Sequence, residues 1–302
     1  MTDALLRRGH EVLSPVQRRD LPRALALCAR DPVSSVVPAM HLETAARSGV
    51  IPTGLWAVRQ RGHREISGVV WCGANLTAVL PGDNIADADD LRAELAEGIL
   101  DRLVRPAALV GEAGLTLDLW GRIEYAWGPA RQERVRQVSM VMTADPVTPH
   151  SQDAVFVEPL RRSVMSDYSD ILPAAVHMFI GEVGYDPLLH GRDAYEDRLR
   201  HLIRRGRSYV QFGTVNGERT VVFKAEVGVV GLGVAQVQGV WVHPDVRGLG
   251  VGAASMAELV KLVRTDHART VSLYVNDFNE AAVRLYDSVG FSRVGHFATI
   301  MF

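Results

Sequence analysis

Cysteine is almost missing from this chain. Cys28 and Cys72 stand alone among 302 residues, too few for a disulfide framework in a chain of this size. An excess of one charge is missing too: 33 Lys and Arg face 35 Asp and Glu, for a net charge of −2. Without a broad basic field, neither nucleic acid nor an anionic membrane is expected as a partner. No apolar run reaches the ~18 residues of a membrane span. The opening Met-Thr-Asp-Ala-Leu-Leu-Arg-Arg lacks the apolar stretch of a secretory leader, so a cytoplasmic location is expected. Histidines such as His10, His41 and His201 show no metal-ligand spacing, and no metal is expected. What is present is ordinary globular composition, 47% hydrophobic and 23% charged, with about two domains' worth of length. The oligomeric state is left open.

The polar, proline-bearing stretch Thr143–Gln152 is the expected boundary. It divides the chain into domains 1–148 and 149–302. In the second, a short strand Val155–Leu160 precedes two helical patterns, about Asp167–Val183 and Asp193–Arg205, each closed by glycine. Strands follow at Ser208–Val215, Arg219–Val230 and Val234–His243, with Asn216-Gly217 as a hairpin turn between the first two. A helix from about Gly248 to Val263, a strand Thr270–Val275, a helix Glu280–Val289 and a last strand complete an α/β domain with a mixed sheet.

The segment VHPDVRGLGVGAASMAELV (Val242–Val260) carries the most chemistry. A strand runs into a glycine-rich turn that opens a helix, whose bare amides and dipole favour phosphate. Gly248, Gly250 and Gly252 keep side chains away from that backbone, and Arg247 adds a cation with fork geometry. Gly248-x-Gly250-x-x-Ala253 also fits the dinucleotide fingerprint. Five residues between strand and first glycine, and only about fifty after the turn, argue against that fold. A turn that uses glycine only for tight packing is the plain structural alternative.

Arg247-x-x-Gly250-x-Gly252 after a strand resembles the acyl-CoA pyrophosphate loop of the GNAT superfamily of N-acetyltransferases. The element order matches that superfamily as well. MFIGEVG (Met178–Gly184), VVFKAEVG (Val221–Gly228), VQGVWVHPDVRGLG (Val237–Gly250), SLYVNDFN (Ser272–Asn279) and GHFATIMF (Gly295–Phe302) are similar to actinobacterial GNAT-domain proteins with an N-terminal domain of unassigned function. Mycothiol synthase shares a tandem plan, but the quoted motifs fit the unassigned proteins better. The resemblance implies acetyl-CoA as cosubstrate. Backbone at Val240, Trp241 and Val242 would hold the pantetheine arm, and Arg247, Gly248, Leu249, Gly250, Val251, Gly252 and Ala253 the pyrophosphate. Asn279 would contact the pantetheine amides, and Tyr286 would protonate the departing thiolate. Without the resemblance, Asn279 reads as a helix cap, Asp277 with Glu280 as a capping box, and Tyr286 as a core residue.

Many GNAT enzymes carry a glutamate eleven residues ahead of the loop's first Arg or Gln; that position here is Gln236, which takes no proton. If Val230 faces Val234, Glu226 lies opposite Gln238, on a polar face with Lys224, Gln236 and Val240. Glu226 is thus the candidate base, and a structural ion pair with Lys224 is the alternative. Val221, Phe223, Ala225, Val227, Ala235, Val237 and Trp241 would form the opposite, apolar face. Glu182, Tyr185 and Gln238 are substrate-side candidates, joined by His177, Asp186 and His190 on or after the first helix. His243 is expected to shape the loop entrance.

The first half repeats the architecture faintly, with helices Asp20–Arg30 and around Ala39–Arg47, a hairpin Leu55–Arg59 and Ile66–Leu80, a helix Ala88–Leu103, a strand Ala107–Gly111 and a helix Leu115–Ala126. It resembles a degenerate GNAT domain. Pro81-Gly82-Asp83-Asn84 replaces the glycine turn, and Asp87, Asp89 and Asp90 crowd the helix start, where they would repel a pyrophosphate. This half is expected to bind no CoA and to wall part of the acceptor cleft. The functional expectation is an acetyl-CoA-dependent N-acetyltransferase acting by direct transfer on a small-molecule or peptide amine. A non-catalytic acyl-CoA-binding sensor or interaction module is the alternative.

Overall fold

Side-chain and glycine chemistry sets the helix ends of the computed structural model, which describes residues 12–80, 88–147, 156–189 and 191–302. The chain forms two units, Met1–Ser139 with Gly295–Phe302, and Met140–Val294. Its first half runs β1 (Leu13–Pro15), α1 (Leu21–Cys28), α2 (Val36–Ser48), β2 (Leu55–Val58), β3 (Gly68–Cys72), β4 (Asn75–Val79), α3 (Ala88–Arg102), β5 (Ala108–Glu112), α4 (Ala113–Trp127) and β6 (Gln132–Met142). Gly49 in the left-handed region stops α2. The Glu112 carboxylate starts α4 by accepting from the amides of Gly114 and Leu115 at 2.9 and 2.8 Å. The expected strand Ile66–Leu80 is two strands, β3 and β4, folded back on each other. Strands β4 and β5 pair in parallel at Asn75 with Ala108 and Leu76 with Leu109. The entrance to α3, with Pro81, Gly82, Asp83, Asn84 and Asp87, lies outside the described residues; Asp89 in the first turn pairs with Arg122 of α4.

The second half runs β7 (Arg161–Arg162), α5 (Tyr168–Val183), α6 (Arg192–Arg204), β8 (Ser208–Val215), β9 (Glu218–Gly231), β10 (Val234–Val242), α7 (Val251–Asp266), β11 (Thr270–Asn276), α8 (Glu280–Val289) and β12 (Ser292–Met301). That is the order of the first half, element for element, so the α/β fold with its mixed sheet is a tandem one. Asn216 and Gly217 take φ of 54° and 84°, the conformation that joins β8 to β9 as a tight hairpin. Of the expected strand Val155–Leu160, Val155 lies outside the described residues, and the described residues from Phe156 on form one bridge, Val157 with Gly213, followed by the two-residue β7. Pro159 has no amide hydrogen to continue a ladder there. Within the second unit the strand order is β11-β10-β9-β8-β7, with β10 and β11 parallel and the other pairs antiparallel.

The expected cut into 1–148 and 149–302 also needs correction. From Gly295 onward β12 belongs to the first unit, antiparallel to β5 from Phe297 with Glu112 to Met301 with Ala108. The cause is apolar burial. Ile300 is fully buried among Leu95, Ile99, Leu119 and Ile123, and the Phe302 ring meets Trp120 and Trp127 at centroid distances of 5.5 Å.

Candidate active site

Strands β10 and β11 pair at three positions only, ending at Gln236 with Ser272, although β10 runs on to Val242 and β11 to Asn276. Beyond that rung the parallel strands part, leaving backbone groups of β10 on one side of an opening. The glycine loop follows at once. Gly248 and Gly250 hold φ of 78° and 82°, which only glycine adopts freely, and no side chain caps α7. The amides of Val251, Gly252 and Ala253 precede the first helical bond, Ala254 N–H to the Gly250 carbonyl at 3.1 Å, so they are placed to meet an anion. Arg247 is exposed beside them, its Nε bound to the Val242 carbonyl at 3.0 Å. Gly252 differs from the other two. A methyl there would lie 2.9 Å from Leu285 Cδ1 and 3.0 Å from Val242 Cγ2, so this glycine serves the close packing of α7 on β10 and α8. His243 Nδ1 accepts from the Asp245 amide at 3.2 Å and so shapes the turn before the loop.

The hairpin register is more irregular than its sequence. Val234 faces Gly231, not Val230, yet Glu226 does lie opposite Gln238. Gly228 is an extra residue in β9, and Gly239-Val240 together oppose the single Ala225. These two bulges compensate, and between them Val237 and Gln238 sit on a shifted register. Gly239 has φ of 60°, as expected of a bulge that begins on a left-handed glycine. Its signal was visible as a lone glycine inside the strand pattern Val234–Val242. A further shift opposite Gln211 and Phe212 makes Val222 a bulge. It splits the expected apolar face. Val221 packs with Trp241, which lies opposite Lys224, whereas Phe223 lies opposite Val242, which packs with Val222, Val246 and Val251.

Glu226 is not on an open polar face. It is 2% exposed and Lys224 fully buried. Lys224 Nζ meets Glu226 Oε1 at 2.7 Å, and Arg198 of α6 meets Oε2 at 3.1 Å. Burial alone would raise this carboxyl's pKa, but the two cations outweigh burial and lower it. A carboxylate so held is a weak proton acceptor, and the ion-pair alternative is what the geometry contains.

Tyr286 is buried on α8 and makes no hydrogen bond through its hydroxyl with any described residue. Burial, then the charge of Glu182, hold its phenol above the usual tyrosine range. Glu182 is exposed at the end of α5. Its charge also reaches Tyr195, whose hydroxyl donates to the Ala175 carbonyl at 2.8 Å. Phe179 stacks edge-on with Tyr185 and Tyr195 at 5.2 and 5.4 Å. His177 Nδ1 accepts from the Trp241 indole at 3.0 Å. Asp186 is engaged with the Leu188 amide at 2.8 Å, and His190 lies outside the described residues. Asn279 caps α8, accepting from Ala282 N–H at 3.2 Å. Asp277 is not that cap, and Glu280 pairs with Arg284 at 2.9 Å instead of closing a capping box.

Residues 188–291 match the acetyltransferase (GNAT) family model, and residues 53–166 match a domain of unknown function. Residues 188–291 belong to the GNAT family. Acetyltransferases of that family take acetyl-CoA as cosubstrate. The chain is also 42% identical over 60 residues to a mycothiol acetyltransferase of Thermobispora bispora, a match that spans a fifth of each protein. Among solved structures, a Drosophila protein shares the fold over 97% of this chain and 99% of its own, with a TM-score of 0.65 and 13% identity. A tandem GNAT protein from the clavulanic acid biosynthesis pathway covers 96% of this chain and 98% of its own, with a TM-score of 0.50 and 13% identity. The glycine loop, the parted strands and Tyr286 all lie inside the GNAT domain; Glu182 and Tyr185 lie just ahead of the matched residues.

Proposed function

We propose that this chain is an acetyl-CoA-dependent N-acetyltransferase that transfers the acetyl group directly to a primary amine of a small molecule or peptide. The observation that carries the reading is the parting of β10 from β11 immediately ahead of an uncapped, glycine-led helix start. The pyrophosphate would lie on the amides of Val251, Gly252 and Ala253 beside Arg247, Gly248, Leu249 and Gly250. The pantetheine arm would follow the backbone of Val240, Trp241 and Val242 along the opening, with the side-chain amide of Asn279 beside it. The neutral amine attacks the thioester carbonyl, and a C–N bond forms as the C–S bond breaks. A backbone amide of the Gly239-Val240 bulge would polarise the carbonyl oxygen. Tyr286 gives its phenolic proton to the coenzyme A thiolate, and the proton released by the acylated nitrogen restores the phenol. The exposed carboxylate of Glu182 supports a role in collecting the proton of an incoming ammonium, directly or through water, and Tyr185 and Gln238 are assigned to the substrate. Glu226, ion-paired and buried, is assigned no proton transfer.

Thiol release from acetyl-CoA in the presence of a panel of primary amines tests the proposal. Amine-dependent release supports it. Tight binding of acetyl-CoA with no transfer and no hydrolysis favours the sensor reading, for which the neutral Gln236 and the ion-paired Glu226 speak.

A further inference from the structure

The Lys224–Glu226–Arg198 cluster is too deeply built to be a surface ion pair, and the proton transfers above do not use it. Lys224 is fully buried and Glu226 nearly so, while Arg198 reaches in from α6 with about half of its side chain exposed. Removing two charges from water is costly, and such a group stabilises less than apolar packing would. What it fixes in place is visible in the register. The two bulges, at Gly228 in β9 and at Gly239-Val240 in β10, bracket the pair of Glu226 with Gln238. A methyl on Gly239 would fall 3.2 Å from both Cδ and Oε2 of Glu226. The carboxylate therefore packs against the left-handed glycine that opens the bulge, and it is gripped on one oxygen by Lys224 and on the other by Arg198. The charged and titratable groups bearing on it are Lys224, Arg198 and the Tyr195 phenol.

We propose that Glu226 is a positioning residue whose buried carboxylate holds the Gly239-Val240 bulge in the shape that turns a backbone amide toward the thioester carbonyl. The inference rests on the acyl-transfer reading above. It assigns Glu226 to the polarisation of the carbonyl through the backbone, with Arg198 and Lys224 as its clamps. A ladder without the bulge would spend one of these two amides on β9, since alternate residues of a strand face one neighbour, and a bulge without its support would leave that amide free to turn away.

Acetyl-CoA and free CoA differ by the carbonyl that the bulge amide would grip, so their relative affinity reads the bulge without any acceptor. Isothermal titration of the full-length protein with each, together with the 13C shift of carbonyl-labelled acetyl-CoA, is the experiment. Wild type is expected to bind acetyl-CoA more tightly than CoA and to move the carbonyl signal downfield. Glu226→Gln should bind CoA within twofold of wild type, lose about tenfold in acetyl-CoA affinity, as for one lost hydrogen bond, and return the signal towards its value in water. Arg198→Gln, at a half-exposed position, should do the same to a smaller degree and carries the test if Glu226→Gln does not fold. Unchanged acetyl-CoA preference and carbonyl shift in the variants that fold would overturn the proposal. So would a Glu226→Gln enzyme that binds both ligands normally but loses the acidic limb of its pH–rate profile, since that is the mark of a base. If wild type binds neither ligand, the acyl-transfer reading itself fails and this inference falls with it.

Discussion

A phenol that must protonate a thiolate has to stay neutral until the thiolate forms. Tyr286 meets that condition because burial opposes its ionisation and the charge of Glu182 opposes it further. Both effects favour the neutral form, so its pKa lies above the ordinary ~10 and the acid is in place throughout the neutral range. Tyr286→Phe should lower kcat about 100-fold or more, the scale of a lost general acid, and leave CoA affinity within twofold. Equal turnover in the two proteins would remove Tyr286 from the mechanism. Glu182→Gln deletes the charge that helps hold the phenol up. The alkaline limb of the pH–rate profile should then move to lower pH, and the KM for the amine should rise. A pH–rate profile superimposable on wild type would show that Glu182 acts on neither.

At the scale of elements, two of the three glycines of the loop make separable predictions. Gly252→Ala drives a methyl into Leu285 and Val242 and should cost about 1–3 kcal/mol of stability, as overpacking does. Gly248→Ala meets open space but sits at positive φ, so about 1 kcal/mol of backbone strain is expected. Thermal unfolding should therefore rank Gly252→Ala below Gly248→Ala, and the reverse order would mean that packing does not fix Gly252. The end of α7 is anchored by Asp266, which takes the Tyr209 hydroxyl at 2.7 Å and Arg162 Nε at 2.6 Å. The bond from Arg162 lowers the Asp266 pKa against the opposing effect of burial, with the Tyr209 bond helping. A lowered pKa gives stability that is present above the unfolded value near 4 and is lost as pH falls through the folded one. Asp266→Asn should cost about 2 kcal/mol at pH 7 and progressively less below about pH 4; a pH-independent penalty would point to shape instead of charge. The sequence made the loop and the Asn216-Gly217 hairpin legible because local backbone chemistry determines them. It left the bulges at Val222 and Gly228 hidden, and with them the burial of Lys224 and Glu226, since strand register is settled by packing partners far away in the chain. Alternation alone put Glu226 opposite Gln238 for an incomplete reason: the pair is right only because Gly228 shifts the ladder by one residue.

At the scale of the whole molecule, the repeated element order shows that each half supplies the parts of one domain, but the last strand's destination escaped the sequence. GHFATIMF reads as the end of the second domain, and nothing local says that its partner is Ala108–Glu112. The first unit depends on it. Ile300 is buried at the centre of that core, and Thr299 donates to Gln137 at 2.7 Å in a buried bond. Ile300→Ala should therefore destabilise the first unit by about 2–5 kcal/mol, although the residue sits two positions from the C-terminal Phe302. A chain cut at residue 148 lacks the strand altogether and should fail to unfold cooperatively. Residues 12–139 joined by a Gly/Ser linker to 295–302 should restore a cooperative transition. That linked unit is the proper object for asking whether the first domain takes CoA, and its melting temperature is expected to be the same with and without the ligand. A CoA-dependent rise would mean that the aspartates around the start of α3 do not repel a pyrophosphate, and that the chain carries two acyl-CoA sites.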